Sequence, residues 1–431
     1  MNETIGRLRD TFVAIWDAAD PDTTIDGPAY APDVKARHEA ELAALVDVLA
    51  AESRRVRRRR QIGDDGERRV LAAFGRFAGG TLGWNRQALE GELGVGFREA
   101  LRAFPIHSRR FDRSLPSADI YQAARNALTM HCLQGLLGVP IESTPAVLGY
   151  SLLYPYTDNL LDDRTLDVAT KLAFGRRLGR RLRGDDVVPV GSREARIFQL
   201  VGMIEGQFPR SRYPRVFDSL LAIHDAQVRS LALLVGPTSP TPRTMIEIAV
   251  EKGGTSVLAD GYLVSGSLTP AQAECIFGLG VFLQLRDDLE DVNDDGASGL
   301  LTVFSSHRAR RLDEPTARAL AIGAAVLERL PCFDSAQAAP IRDIMARSLQ
   351  LTIADAAASF PSLYGAPYLR ALERRSPFRF SCLAEQRRRL SRANGSLTGL
   401  LERWIEESAA PPAATERLSA LDFNRIAPDR A

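Results

Sequence analysis

Apolar residues recur at intervals of three and four along most of the chain, as in "PAVLGYSLLYPYTDNLL" and "PAQAECIFGLGVFLQLRDDL", which is the spacing of a helix with one buried face. Stretches that alternate polar and apolar residues, the mark of half-buried strands, are scarce. The pattern predicts helices near 36–60, 67–77, 117–137, 145–161, 166–183, 193–206, 214–234, 243–266, 270–293, 313–329, 335–358 and 382–408. Breaks between them carry Pro and Gly, as in "DGPAYAPD", "RGDDVVPVG", "GPTSPTPR" and "SAAPPAATE". The expected architecture is all-α, with short connections that favour antiparallel neighbours. Residues 1–114 are rich in Arg and Asp with weaker periodicity and are set apart as an N-terminal helical appendage. The core is expected over 115–408, followed by a Pro/Ala-rich tail at 409–431.

Composition narrows the function little. At 431 residues the chain can bury a large core, and 45% hydrophobic and 25% charged residues with a formal net charge of +1 describe an ordinary globular protein. Nearly all basic residues are arginine, with lysine only at Lys35, Lys171 and Lys252, which speaks of a GC-rich genome rather than a mechanism. Cys132, Cys275, Cys332 and Cys382 lie far apart without a CxxC, so neither a zinc site nor a disulfide framework is indicated, and a reducing cytoplasm fits. The start "MNETIGRLRDTFVAIWDAAD" lacks a basic-then-apolar leader, and no apolar run reaches the roughly 18 residues of a membrane span. A soluble, unprocessed protein is expected.

The run "SRRVRRRRQ" puts six arginines at residues 54–60. It reads either as a solvated helix end or as a patch that docks peripherally on an anionic membrane or polyanion. No nucleic-acid-binding motif accompanies it, so no nucleic-acid partner is expected.

Thr144-Pro145, Thr241-Pro242 and Thr269-Pro270 each signal a helix start, with Thr as N-cap and Pro in the first turn. Two of these helices finish in acid. One ends "YTDNLLDD", with Asp158, Asp162 and Asp163; the other ends "LQLRDDLEDVNDDG", with six carboxylates between Asp287 and Asp295. A helix C-terminus already carries partial negative charge, so each carboxylate there is unfavourable by roughly 0.3–1 kcal/mol. Like charges one turn apart add repulsion, and a bound cation would reverse both effects. Asp158 and Asp162 share a face, as do Asp287, Asp291 and Asp294, a spacing suited to a hard cation such as Mg²⁺. Continued toward the helix starts, the stripes read Tyr154, Ser151, Val147 and Gln284, Gly280. If the two helices face each other, the result is a cavity with a metal-lined mouth and a mostly apolar interior, fit for a diphosphate head and a hydrocarbon tail. The alternative is that both clusters are solvated helix ends.

At these residues the chain resembles the class I isoprenoid synthases: trans-prenyl diphosphate synthases, squalene and phytoene synthases and class I terpene synthases. "FLQLRDDLEDVNDD" is similar to the second aspartate-rich motif, with Asp287, Asp288 and Asp291 in the DDxxD positions, and "YTDNLLDD" to a DxxxD form of the first. The similarity covers about residues 117–300. It implies a helical bundle with a central cavity and extra N-terminal helices, in which carboxylates hold Mg²⁺ ions, usually three, around a prenyl diphosphate. The implied metal ligands are Asp158, Asp162, Asp163, Asp287, Asp288 and Asp291, with Asp158, Asp162, Asp287 and Asp291 carrying catalysis. Lys252 matches a diphosphate-binding lysine, in a helix that "GGTS" is expected to loosen or kink; a surface lysine is the other reading. Arg177 and Arg181, in the arginine group that follows the first motif, together with Tyr154 and Gln284, are assigned to substrate binding.

Two departures matter. "GGTLGWNRQ" does not reproduce the early Gly-Gly-Lys-Arg motif with which elongating enzymes bind a second diphosphate, and Asn159 stands where the first motif more often has a second Asp. The resemblance therefore implies Mg²⁺-dependent ionisation of an allylic diphosphate followed by cyclisation or condensation. Chain elongation and a non-catalytic prenyl-lipid binder are the alternatives, and a homodimer is common in the wider fold. His224-Asp225 raises a metal phosphohydrolase of the HD type, but the chain holds only five histidines.

Overall fold

The computed structural model describes residues 1–392 except 60–63, 86, 88, 89, 162–165, 234–239 and 308–310; the Asp158 side chain also lies outside the described residues. All assigned elements among them are helices. The three Thr-Pro signals work as their chemistry requires. The Thr144 hydroxyl accepts from the Val147 amide at 3.2 Å, and Thr241 accepts from the amide of Thr244. Thr269 forms a full capping box with Gln272. These caps start α6 (Pro145–Leu161), α10 (Pro242–Ser265) and α11 (Pro270–Glu290).

Before α6 come α1 (Asn2–Ala18), α2 (Pro32–Arg59), α3 (Asp64–Gly80), α4 (Glu92–Phe111) and α5 (Ser117–Leu136). Between α6 and α10 lie α7 (Val168–Arg183), α8 (Gly191–Gln207) and α9 (Pro214–Ser230). After α11 follow α12 (Val292–Ser298), α13 (Asp313–Arg329), α14 (Ala338–Ala357) and α15 (Ala366–Arg375), then a helical stretch over 380–392. Periodicity missed α1, α4 and α15. Pro105 inside α4 and the two glycines of its first turns hide the helical pattern there. The helix expected over 270–293 ends at Glu290, and Asp291 is a non-helical joint into α12.

α10 and α11 are buried almost all round, as helices without a polar face must be, and they form the most extensive helix pair. The hairpin between them turns at Gly266, whose φ of 75° is the left-handed conformation that glycine adopts freely. At its middle the two backbones nearly touch. A Cβ on Gly253 would sit 2.5 Å from the Gly280 carbonyl oxygen, and one on Gly280 would sit 2.2 Å from that of Gly253. α10 runs as one helix through the "GGTS" segment, whose first two glycines let α11 approach. α6 likewise continues through Pro155 to Leu161.

Residues 1–114 contribute to this core. Ile5, Leu8, Phe12, Val13 and Trp16 of α1 belong to the same hydrophobic cluster as α10 and α11, and the Phe12 ring lies 5.9 Å from that of Phe277. α2 extends to Arg59, with Arg54 and Arg55 exposed; Arg60 and the arginine side chains from Arg57 onward lie outside the described residues, as does the 409–431 tail. No helix among the described residues is long and apolar enough to cross a membrane.

Candidate active site

Five helices enclose a cavity of about 530 Å³. α5 contributes Gln122, Arg125, Asn126, Leu128 and Thr129; α6 contributes Tyr154; α9 contributes Ile223 and Gln227. α10 supplies Lys252, Gly253, Ser256, Val257 and Asp260, and α11 supplies Gly280, Leu283, Gln284, Arg286 and Asp287. The stripe Gly280, Gln284, Asp287 thus lines one wall, at the four- and three-residue steps of a helix face. Tyr154, one turn before Asp158, lines another. Of the residues singled out in the sequence, Tyr154, Lys252, Gln284 and Asp287 meet on this cavity. Asp162 and Asp163 lie outside the described residues.

The acidic end of α11 is electrostatically uncomfortable. Asp288 is 7% exposed, and burial pushes its carboxyl up to about 7 against the opposing pull of a 2.7 Å hydrogen bond from Gln284 and the nearby charge of Lys252. Burial raises Asp295 to about 6, and the charges of Asp291 and Asp287 add to it. Burial also raises Asp291 and Glu290, again reinforced by Asp287. The cations nearby do not cancel this: Arg286 pairs with Glu290, and Arg125 stands 3.8 Å from Asp287 at an exposed position. Such a set of oxygen donors fits a divalent hard cation, which would relieve the shared repulsion. Among the described residues no three His, Cys, Asp or Glu side chains converge into a ready-made cage. Mg²⁺ does not require one, because it keeps water and phosphate oxygens as its remaining ligands.

Arg177 and Arg181 are not on the cavity. Arg177 is held by Glu194 through two hydrogen bonds of 2.7 and 2.9 Å, and Arg181 by Glu205, which also accepts from Arg210 at 2.7 Å. These pairs bind α7 to α8. His224 packs against Gly179 of α7 beside an apolar recess, while its neighbour Asp225 is exposed.

The interior differs from the apolar lining expected. Gln122, Asn126, Thr129, Gln227, Ser256 and Asp260 all border the cavity, and the Tyr154 hydroxyl is hydrogen bonded to that of Ser256. A small apolar recess continues behind Tyr154, Ile223 and Gln227, walled by Leu153, Leu178, Leu182 and Leu220. The α5 residues carried no sequence signal, since Gln, Arg and Asn on a helix are ordinary. Asp260 did carry one: it is the lone charge in the run "SVLADGYLV" of an all-round apolar helix.

No protein-family model matches the chain, and no curated protein matches it in sequence. In structure it is similar to a decaprenyl diphosphate synthase from Rhodobacter capsulatus, at 14% identity over 75% of this chain and 98% of that one, with a TM-score of 0.30. It is also similar to a polyprenyl synthetase from Streptomyces coelicolor A3(2), at 15% identity over 68% of this chain and 97% of that one, with a TM-score of 0.27.

Proposed function

We propose that the protein ionises an allylic prenyl diphosphate with the help of Mg²⁺ and then cyclises the cation or joins it to another isoprenoid. One observation carries this reading: Asp287, Gln284 and Lys252 line the same cavity as Tyr154, one helical turn from Asp158. Asp287 and Asp291 would hold Mg²⁺ at the end of α11, Asp158 and Asp162 at the end of α6, with Asp288 and Asp163 beside them. Bound there, the metal supplies Lewis-acid stabilisation of the charge that gathers on the departing diphosphate.

The chain's own residues do the rest. Lys252 adds a positive charge on the cavity wall next to Asp288 and Asp295. Gln284 orients the Asp288 carboxyl by donating to its Oδ1. The small apolar recess behind Tyr154 offers a wall for hydrocarbon, whose removal from water is favourable.

The test is incubation of the purified protein with geranyl, farnesyl and geranylgeranyl diphosphate, with and without Mg²⁺ and isopentenyl diphosphate. Diphosphate release that needs Mg²⁺ but not isopentenyl diphosphate is expected. Release only with isopentenyl diphosphate would make the protein a chain-elongating synthase. Binding without release would make it a prenyl-lipid binder.

A further inference from the structure

The arginines around the end of α7 divide into two groups. Arg177, Arg181 and Arg210 are held by Glu194 and Glu205, and Arg210 also donates to the carbonyl oxygens of Leu182 and Arg181 at 2.6 and 3.1 Å. Those last bonds bring the loop before α9 onto the C-terminal end of α7. Arg183, Arg212 and Arg215 are exposed at this end, and among the described residues no ion pair holds any of them. Opposing them are Asp185, which pairs with Arg180, and Asp186. Residues 171–215 hold eleven lysines and arginines against four acids, a formal +7 in a chain whose total is +1. Cations in the last turn of a helix favour its dipole, which accounts for Arg180, Arg181 and Arg183. It does not account for what projects beside them. Between α7 and α8 the chain runs Val187-Val188-Pro189-Val190. Val187 packs on the core, but Val188 is 81% exposed and Val190 65%, more than any other large apolar side chain among the described residues. An apolar tip flanked by cations has the composition of a surface that enters lipid headgroups: the tip leaves water and the cations meet anionic lipid.

The acidic residues lie at the far end of the molecule. A Cβ on Gly266 would meet the Tyr213 ring at 2.8 Å, so Arg212 and Arg215 stand where α10 turns into α11. Asp287 and Asp291 are at the opposite end of α11, roughly 30 Å away at 1.5 Å per residue. An anionic surface against Val188 therefore does not confront the acidic mouth of the cavity. Leu178 and Leu182 of the same α7 wall the apolar recess behind Tyr154. We propose that this end of the protein docks on anionic lipid bilayers, with Val188 and Val190 entering the headgroup layer and Arg183, Arg212 and Arg215 meeting the lipid phosphates. A nucleic acid would engage the arginines but leave the valines in water.

The test is sedimentation of the full chain with vesicles of phosphatidylcholine alone and of phosphatidylcholine with one third phosphatidylglycerol. Neither substrate nor Mg²⁺ is present, so the result is independent of the ionisation reading. Binding to the anionic vesicles is expected, weakened by high salt, with little binding to the neutral ones. Val188→Ser combined with Val190→Ser should lower the partition coefficient by about tenfold. Arg183→Ser combined with Arg212→Ser and Arg215→Ser should lower it by on the order of 10²-fold. All five side chains are exposed, so circular dichroism should show both variants folded as wild type. No binding to the anionic vesicles overturns the proposal, as does equal binding to neutral ones or binding that both variants retain in full. Binding lost with the arginines but kept without the valines, together with retention of a DNA duplex, makes this a polyanion site and overturns the bilayer.

Discussion

The face between α7 and α8 and the acidic end of α11 are built from the same kinds of residue and behave in opposite ways. On the first, each carboxylate has found its arginine. Glu194 is held by Arg177, and Glu205 lies below its usual range although burial is the largest single influence and raises it, because the hydrogen bonds and charges of Arg181 and Arg210 together outweigh it. From the end of α11 into α12, burial and neighbouring carboxylates push Asp288, Asp291 and Asp295 the other way. A carboxylate held down by its own arginines, as Glu205 is, is closed on itself. Carboxylates pushed up are short of positive charge, and here they adjoin Asp287, which lines the cavity. Pairing therefore separates structural charge from charge awaiting a ligand, where the count of charged residues does not.

The largest effect expected from breaking this contrast is on turnover. Asp287→Ala and Asp291→Ala should each lower Mg²⁺-dependent diphosphate release by on the order of 10²–10³-fold, the usual scale for removing one group that stabilises transition-state charge. Both residues are exposed, so circular dichroism and thermal midpoint should hardly change. Wild-type turnover in both variants would remove the ligand assignment.

Arg177→Ala should behave in reverse. It strands Glu194, which is 2% exposed, and should cost about 2–3 kcal/mol of stability, discounted for the partly exposed guanidinium. Chemical denaturation reads the loss, while diphosphate release per folded molecule stays constant. Loss of release at unchanged stability would return Arg177 to the substrate.

Gly253→Ala sharpens the comparison by moving the wall itself. The new Cβ would press on the Gly280 carbonyl and on Gln284 Cβ, each at 2.5 Å, so α10 and α11 must separate at about 1–3 kcal/mol. Lys252 and Gln284 flank that contact, so KM should rise together with the loss of stability. A fully stable variant with unchanged KM would mean that the close approach is not needed.

The last effect concerns Asp260 and has a sign fixed by pH. In metal-free protein the unfolded chain ionises this carboxyl near 3.8, while burial keeps the folded one neutral to higher pH. Wild-type stability should therefore fall as pH rises above 3.8, until the folded carboxyl ionises as well. Asp260→Asn removes that slope. Urea denaturation from pH 4 to 7 should show the difference between variant and wild type shifting in favour of the variant as pH rises, by up to about 1.4 kcal/mol for each pH unit over which the folded carboxyl stays neutral. A difference independent of pH would contradict a buried neutral acid.

Much of the helical order was legible in residue order. The Thr-Pro caps mark the starts of α6, α10 and α11, and the stripe Gly280, Gln284, Asp287 lines a cavity wall as helical spacing demands. Asp260 could have been singled out as a charge inside an apolar run. Arg177 and Arg181 could not be placed, because four arginines on α7 look the same whether they face a ligand, solvent or the acids of α8. The glycines at 253 and 254 suggested a loosened helix for a similar reason: a missing side chain weakens a lone helix, and only a second backbone at van der Waals distance gives the gap a use.

What residue order determined is therefore local. Helix spans, caps and the crowding of carboxylates at two helix ends depend on neighbours three or four positions away, and those are present in the string itself. What tertiary structure decided is who meets whom: α1 against α11, Arg177 on Glu194, and Asn126 beside Asp260 across 134 positions of chain. Those meetings follow from packing many apolar faces at once, so the polar interior of the cavity could not be read from either helix alone.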